Sequence, residues 1–178
     1  PTYSALGNPT PDPHPAAPDP ANDAWSGFTS PLAGRYSSAR MQRIWSPRRK
    51  FEAWRRIWLA LAEAQHEMGL PVTKEQLDAM RAALRLTEDD FARAKEHEKR
   101  LRHDVMAHVH AFADAAPAAR PIIHLGMTSQ DVNCNAETPI IREALDLVIA
   151  KTARLVAQLG TFAMKWKAEA CLGFTHYQ

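Results

Sequence analysis

Cysteine, glycine, strand patterns and one-sided charge are all scarce in this chain, and each scarcity excludes something. Cys134 and Cys171 are the two cysteines among 178 residues, too few to staple a domain of this size or, alone, to build a zinc site. Both read as reduced thiols of a cytoplasmic protein. No stretch alternates polar with apolar β-branched residues long enough to make a sheet, and glycine is sparse from Ser37 onward, so the expected fold is all-α. Lys and Arg total 22 against 20 Asp and Glu, a formal charge of +2, which is not the strongly basic balance of a dedicated nucleic-acid binder. No apolar run approaches the roughly 20 residues that span a bilayer, and the N-terminus lacks the basic start and apolar core of a signal peptide. The expectation is a soluble cytoplasmic chain with neither membrane nor nucleic acid as partner. What is present, 46% hydrophobic and 24% charged residues, suffices for one moderate domain with a real core.

Seven of the thirteen prolines fall in the first 20 residues, and no Lys or Arg precedes Arg35. Residues 1–25 therefore read as a disordered Pro/Ala-rich tail without chemistry, and the initial Pro as a processed or engineered boundary. Ser46-Pro47 is a cap followed by proline at the first helical position, and Phe51, Trp54, Trp58, Leu61, Gln65 and Met68 line one face until Gly69 and Pro71. Thr73 with Gln76 opens a short helix through Leu84, Thr87 with Asp90 opens another, and a further helix runs from Arg102 to about Ala115. Ile122 to Ser129 is a loop around Gly126. Ile141, Ala144, Leu145, Val148, Thr152, Leu155, Leu159, Phe162 and Trp166 then repeat at three and four over about seven turns, with Pro139 near the start. At about 1.5 Å per residue such a helix outruns the remaining domain, so its stripe needs cover from other chains or further sequence. Residues 26–127 form an N-terminal all-helical domain in this reading, and residues 128–178 the start of a helical bundle.

Five of the eight histidines lie between His97 and His124. His103, His108 and His110 are spaced by five and two, whereas two ligands on one helical face need three or four, so no metal site is expected. Arg102-His103-Asp104 puts a guanidinium, an imidazole and a carboxylate at a helix start, suited to a charged substrate; a solvated arginine and a helix-terminal aspartate explain the same residues. In HLGMTSQD, Thr128 and Ser129 stand at the start of the long helix, a ready anion site, although an ordinary Thr-Ser cap needs nothing more. Arg40, Arg43, Arg48, Arg49, Lys50, Arg55 and Arg56 interleave with Trp45, Phe51 and Trp54. That pattern suits phosphate contact with base stacking, but the aromatics lie on the apolar stripe and the basic residues mostly off it, which favours a solvated or subunit-facing helix.

Taken together, SPLAGRYSS, KRLRHDVMAHVHAF, IIHLGMTSQDV, REALDL and LGFTHYQ resemble, in the same order, the N-terminal part of the adenylosuccinate lyases, of the fumarase, aspartase and argininosuccinate lyase superfamily. The resemblance covers about residues 30–178; NCNAETPII departs from it, since Pro139 stands where the family continues its helix. It implies β-elimination of fumarate from adenylosuccinate, leaving AMP, and from the succinyl-carboxamide ribotide of purine synthesis, without cofactor or metal. It further implies His176 as the general acid on the leaving nitrogen, with His124 assisting it. Thr128 and Ser129 would hold the succinyl carboxylates, and Arg102, His103, Asp104, Arg35 and Tyr36 the nucleotide part. The family's catalytic base, a serine in an SSxMPxKxNP-type loop, has no counterpart in these residues. Family subunits form homotetramers whose sites draw on three subunits, so the chain reads as an N-terminal fragment, inactive by itself. The alternative from another class is a non-catalytic all-α module that binds a partner or nucleic acid.

Overall fold

The computed structural model describes residues 33–173 and residue 176. The expected Pro-rich tail, 1–25, lies outside the described residues. Among them there is no strand, and seven α-helices follow one another: α1 (Ala33–Tyr36), α2 (Ala39–Ile44), α3 (Pro47–Glu67), α4 (Lys74–Ala82), α5 (Glu88–Leu101), α6 (Asp104–Ala115) and α7 (Ser129–Trp166). A 3-10 turn, Pro117–Ala119, separates α6 from the loop that precedes α7. The all-α expectation holds.

Local chemistry sets the helix starts. Ser46 accepts from the Arg49 N–H at 3.2 Å, ahead of Pro47 at the first position of α3. Thr73 with Gln76, and Thr87 with Asp90, form reciprocal capping boxes at α4 and α5, each satisfying two donors that the helix itself cannot.

The core is aromatic and centred on α3. Trp54 and Trp58 are fully buried; Trp58 stacks on Phe112 of α6 at 6.0 Å between centroids, and Phe51 meets Trp54 edge-on at 4.9 Å. The expected α3 face is right at Trp54 and Trp58 but ends early, since Met68 is 78% exposed while Ala53, Leu59 and Ala62 are buried. Two polar residues belong inside, Arg55 against the solvated alternative for its basic run. Arg55 is buried, with its guanidinium 2.7 Å from Asp90 and donating to the Ala83 carbonyl. His108, on α6, stacks on Phe51 at 3.7 Å. Burial, with Arg55 second, pushes its pKa down to about 4, so it is an uncharged core residue.

Helix α7 is 38 residues long and starts twelve residues before the expected stripe. Pro139 lies inside it, not at its start, and the helix runs through the position. Its buried face is Val132, Ala136, Ile140, Ala144 and Leu147. The predicted stripe, apart from Ala144, faces the other way: Ile141, Leu145, Leu155, Leu159, Phe162 and Trp166 are exposed, as is every described residue from Val148 onward. The expectation that nothing approaches bilayer length also needs correction in α7, which is long and apolar enough by length and composition alone to cross a membrane.

Replacing Arg55 by Leu strands the Asp90 carboxylate inside the fold, and the expected loss is about 3–5 kcal/mol in denaturant unfolding. Burial raises the Asp90 pKa, but the Arg55 and Thr87 hydrogen bonds outweigh it and the net shift is downward. A lowered folded-state pKa contributes stability above the unfolded carboxylate value, about 3.9, and loses it as pH falls through the folded one. Asp90→Asn should therefore flatten the acid limb of the stability profile below about pH 4.

Candidate functional site

Two helix N-termini meet at one place. Arg102 closes α5 in the left-handed conformation, φ 50° and ψ 39°, which turns the chain so that His103 follows as the N-cap of α6. His103 Nδ1 accepts from the Met106 N–H at 3.5 Å, and its Nε2 lies 3.3 Å from Ser129 Oγ in the first turn of α7. With Nδ1 taken by an amide, the neutral ring carries its proton on Nε2 and donates to the serine hydroxyl. The Asp104 carboxylate stays close, 3.7 Å from His103 Nδ1, and accepts from the Val105 N–H at 2.8 Å. At the head of α7 the Thr128 N–H donates to Asp131 Oδ2 at 2.9 Å. The first-turn amides of both helices have no carbonyl of their own helix to bond, and both dipoles present a positive end. Such an arrangement can hold a carboxylate or a phosphate.

The loop before α7 is held from α3. Trp58 Nε1–H donates to His124 Nδ1 at 3.0 Å, with the two rings edge to face. One residue on, the Leu125 carbonyl accepts from Gln65 Nε2 at 3.0 Å. His124 and Gly126 both have left-handed backbones, φ 67° and φ 75°. The His124 pKa is lowered, chiefly by burial; Asp131 opposes the shift and His103 adds to it. Those two neighbours tie His124 to the same cluster.

Thus the structure brings together His103, Asp104, Ser129, Thr128 and His124, with Arg102 adjacent in the chain. It does not join Arg35 or Tyr36 to them: both are exposed on α1, the guanidinium 5.9 Å from its neighbour's ring centroid. His176 is exposed and lies past the far end of α7. A 38-residue helix is about 57 Å long, and ten further residues reach back at most about 35 Å. His176 therefore cannot meet Ser129 of its own chain along a straight α7. Among the described residues no three His, Cys, Asp or Glu side chains are placed to hold a metal ion. The basic aromatic segment is largely engaged: Phe51 and Trp54 pack in the core, Arg49 pairs with Glu143 at 3.0 Å and Arg48 with Glu88 at 2.9 Å. Trp58, Gln65 and Asp131 are supporting residues that motif reading passes over. The signal for Gln65 is an amide seven residues after Trp58, on a face that is otherwise apolar.

Fold and cluster define the class, an all-α chain in which an imidazole and two helix N-termini converge where an anion can sit. No family model matches the chain. It is 44% identical over 155 residues to adenylosuccinate lyase of Saccharomyces cerevisiae and 41% identical over 155 residues to that of Schizosaccharomyces pombe, each match covering 86% of this chain. Against adenylosuccinate lyase of Bacillus subtilis the identity is 32% over 142 residues, 80% of this chain. In each case the match takes in 32% of the relative, so the chain spans about a third of the length of these enzymes. Over these residues the chain is similar to the adenylosuccinate lyases.

A Cβ at Gly126 would meet nothing nearer than Gln65 Nε2 at 4.0 Å, so backbone conformation and not crowding is the reason for glycine there. Gly126→Ala should cost about 1–2 kcal/mol, the penalty of a left-handed L-residue. Thermal unfolding checks the loss, with the helical circular dichroism unchanged below the transition.

Proposed function

We propose that these residues are the N-terminal part of an adenylosuccinate lyase and supply one portion of its active site. The likeness to lyases from two yeasts and a bacterium carries this reading, and the meeting of His103, His124 and Ser129 at the head of α7 supports it. The reaction is elimination of fumarate from adenylosuccinate, leaving AMP, and from the succinyl-carboxamide ribotide. A base removes the proton from the carbon next to one succinyl carboxylate, the carbon–nitrogen bond breaks, and an acid protonates the departing nitrogen. Negative charge gathers on the carboxylate whose neighbouring carbon loses its proton, and donors already in place there lower the barrier most.

In this reading Thr128, Ser129 and the first-turn amides of α7 bind the succinyl carboxylates, and His103 orients the Ser129 hydroxyl through its Nε2–H. Arg102, His103 and Asp104 bind the nucleotide part, and Arg35 with Tyr36 do the same from α1. His176 is the acid. Since it lies beyond reach of its own chain's Ser129, the acid in each site comes from a second subunit, and the base from a segment outside these residues. A homotetramer packed along α7 meets both needs and covers the exposed stripe, which assigns α7 to a cytoplasmic assembly and not to a bilayer. Residues 26–127 are then the N-terminal domain and residues 128–178 the start of the bundle.

The test is fumarate release from adenylosuccinate by the full-length protein, with intact mass and oligomeric state measured on the same sample. An inert, monomeric full-length protein overturns the reading. His176→Ala should lower kcat by about 10²–10⁴-fold, the usual contribution of a general acid, with the melting temperature unchanged; near-normal turnover removes His176 from the role. Arg102→Ala should raise KM by about tenfold, the cost of one charged hydrogen bond, and an unchanged KM overturns that assignment.

A further inference from the structure

We propose that Trp58 is a positioning residue for His124: its buried indole N–H occupies Nδ1 and locks the imidazole as an uncharged Nε2–H donor, excluding it as a proton relay. The inference rests on the reading of His124 as part of the lyase site.

Indole nitrogen is a donor only, so the atom that receives Trp58 Nε1–H at 3.0 Å must carry a lone pair and no proton. In a neutral imidazole the proton then sits on Nε2. The opposite ring flip would set a C–H against the indole N–H, so the hydrogen bond also selects the flip. Trp58 is 1% exposed and wedged between Trp54 and Phe112, so it cannot turn away to admit a second proton on Nδ1. Adding one there would face two donors against each other across a bond whose indole side is fully buried. Relay through a histidine needs one ring nitrogen to take a proton while the other gives one up; with Nδ1 blocked, His124 can donate a hydrogen bond but not pass a proton on. His103 is arranged alike, with its Nδ1 held by the Met106 amide and its Nε2 turned to Ser129. The loop thus has two imidazoles whose Nδ1 atoms are held, one by a backbone amide and one by an indole. Gln65 pins the next carbonyl, so α3 sets both the tautomer of His124 and the path of the loop behind it.

The experiment uses the full-length protein, labelled with 15N-histidine and sedimented for solid-state NMR, with His124→Gln identifying the resonance. The expected result near neutral pH is an unprotonated Nδ1 and a protonated Nε2 on His124. In Trp58→Phe the same ring should become protonated at higher pH than in the parent, and kcat/KM should fall by about tenfold, the scale of losing an outer partner that orients a histidine. If that variant does not fold, β-(3-benzothienyl)alanine at position 58 replaces the N–H by sulfur in a ring of nearly the same shape. A proton on Nδ1 in the parent, or a His124 titration unmoved by the substitution, overturns the proposal. So does an unchanged kcat/KM in a variant that releases fumarate. If the parent protein gives the expected tautomer but no fumarate, the lyase reading fails while the locked tautomer stands.

Discussion

A 38-residue helix cannot be covered by a domain whose next longest helix has 21 residues, and the rest of the structure depends on that mismatch. The first half of α7 is a core element, packed against α3 through Val132, Ala136 and Ile140. The second half carries Leu155, Leu159, Phe162 and Trp166 into solvent, far more apolar surface than an isolated soluble domain ordinarily shows. One helix therefore serves two environments, and its ends differ in kind: the head is rigid and built into the domain, while the tail is matched to something the domain does not contain.

The rigidity of the head is supplied by α3. Trp54 and Trp58 anchor it to α6, and Arg55 ties it to α5 through Asp90. From that anchored helix Trp58 and Gln65, seven residues apart and so on one face, reach the loop before α7. The loop has two consecutive demands that no regular element meets: left-handed backbones at His124 and Gly126, and a carbonyl between them that needs a donor. Side chains from α3 answer the second demand and make the first affordable. Loops that carry chemistry are commonly held this way, by hydrogen bonds from a packed scaffold.

Much of this was legible in the sequence wherever local chemistry decides. Ser46-Pro47, Thr73 with Gln76, and Thr87 with Asp90 state their helix starts through donor counting alone, and the all-α fold follows from the absence of period two. The convergence of RHD and GMTS was legible only through resemblance, because residues 103 and 129 are 26 apart in the chain and meet only in the folded structure. Burial was least legible where a residue breaks its type. Arg55 sits in a basic run that reads as solvated, yet the capping carboxylate of Asp90 lies opposite and takes it inside. His108 shares a segment with an exposed and a half-buried histidine and is distinguished by the Phe51 and Trp54 rings against it. The apolar stripe of α7 is exposed, as expected of a face the domain cannot cover, while the face buried at its head through Val132, Ala136 and Ile140 precedes that stripe and went unread.

The caps at the head of α7 show why a structural and a functional reading of the same residues need not compete. Asp131 already holds the Thr128 amide, so the helix is capped before any ligand arrives and no ordering has to accompany binding. The carboxylate that caps is also an anion beside the proposed carboxylate site, and alone it would repel an anionic ligand. Around it stand oriented donors: two helix N-termini, the Ser129 hydroxyl and the His103 ring beside it. Donors held in position by backbone and indole need no reorganisation as charge develops, which is the condition under which electrostatic stabilisation is largest. The largest influence on His124, burial, lowers its pKa and so favours the uncharged imidazole that Trp58 holds in place.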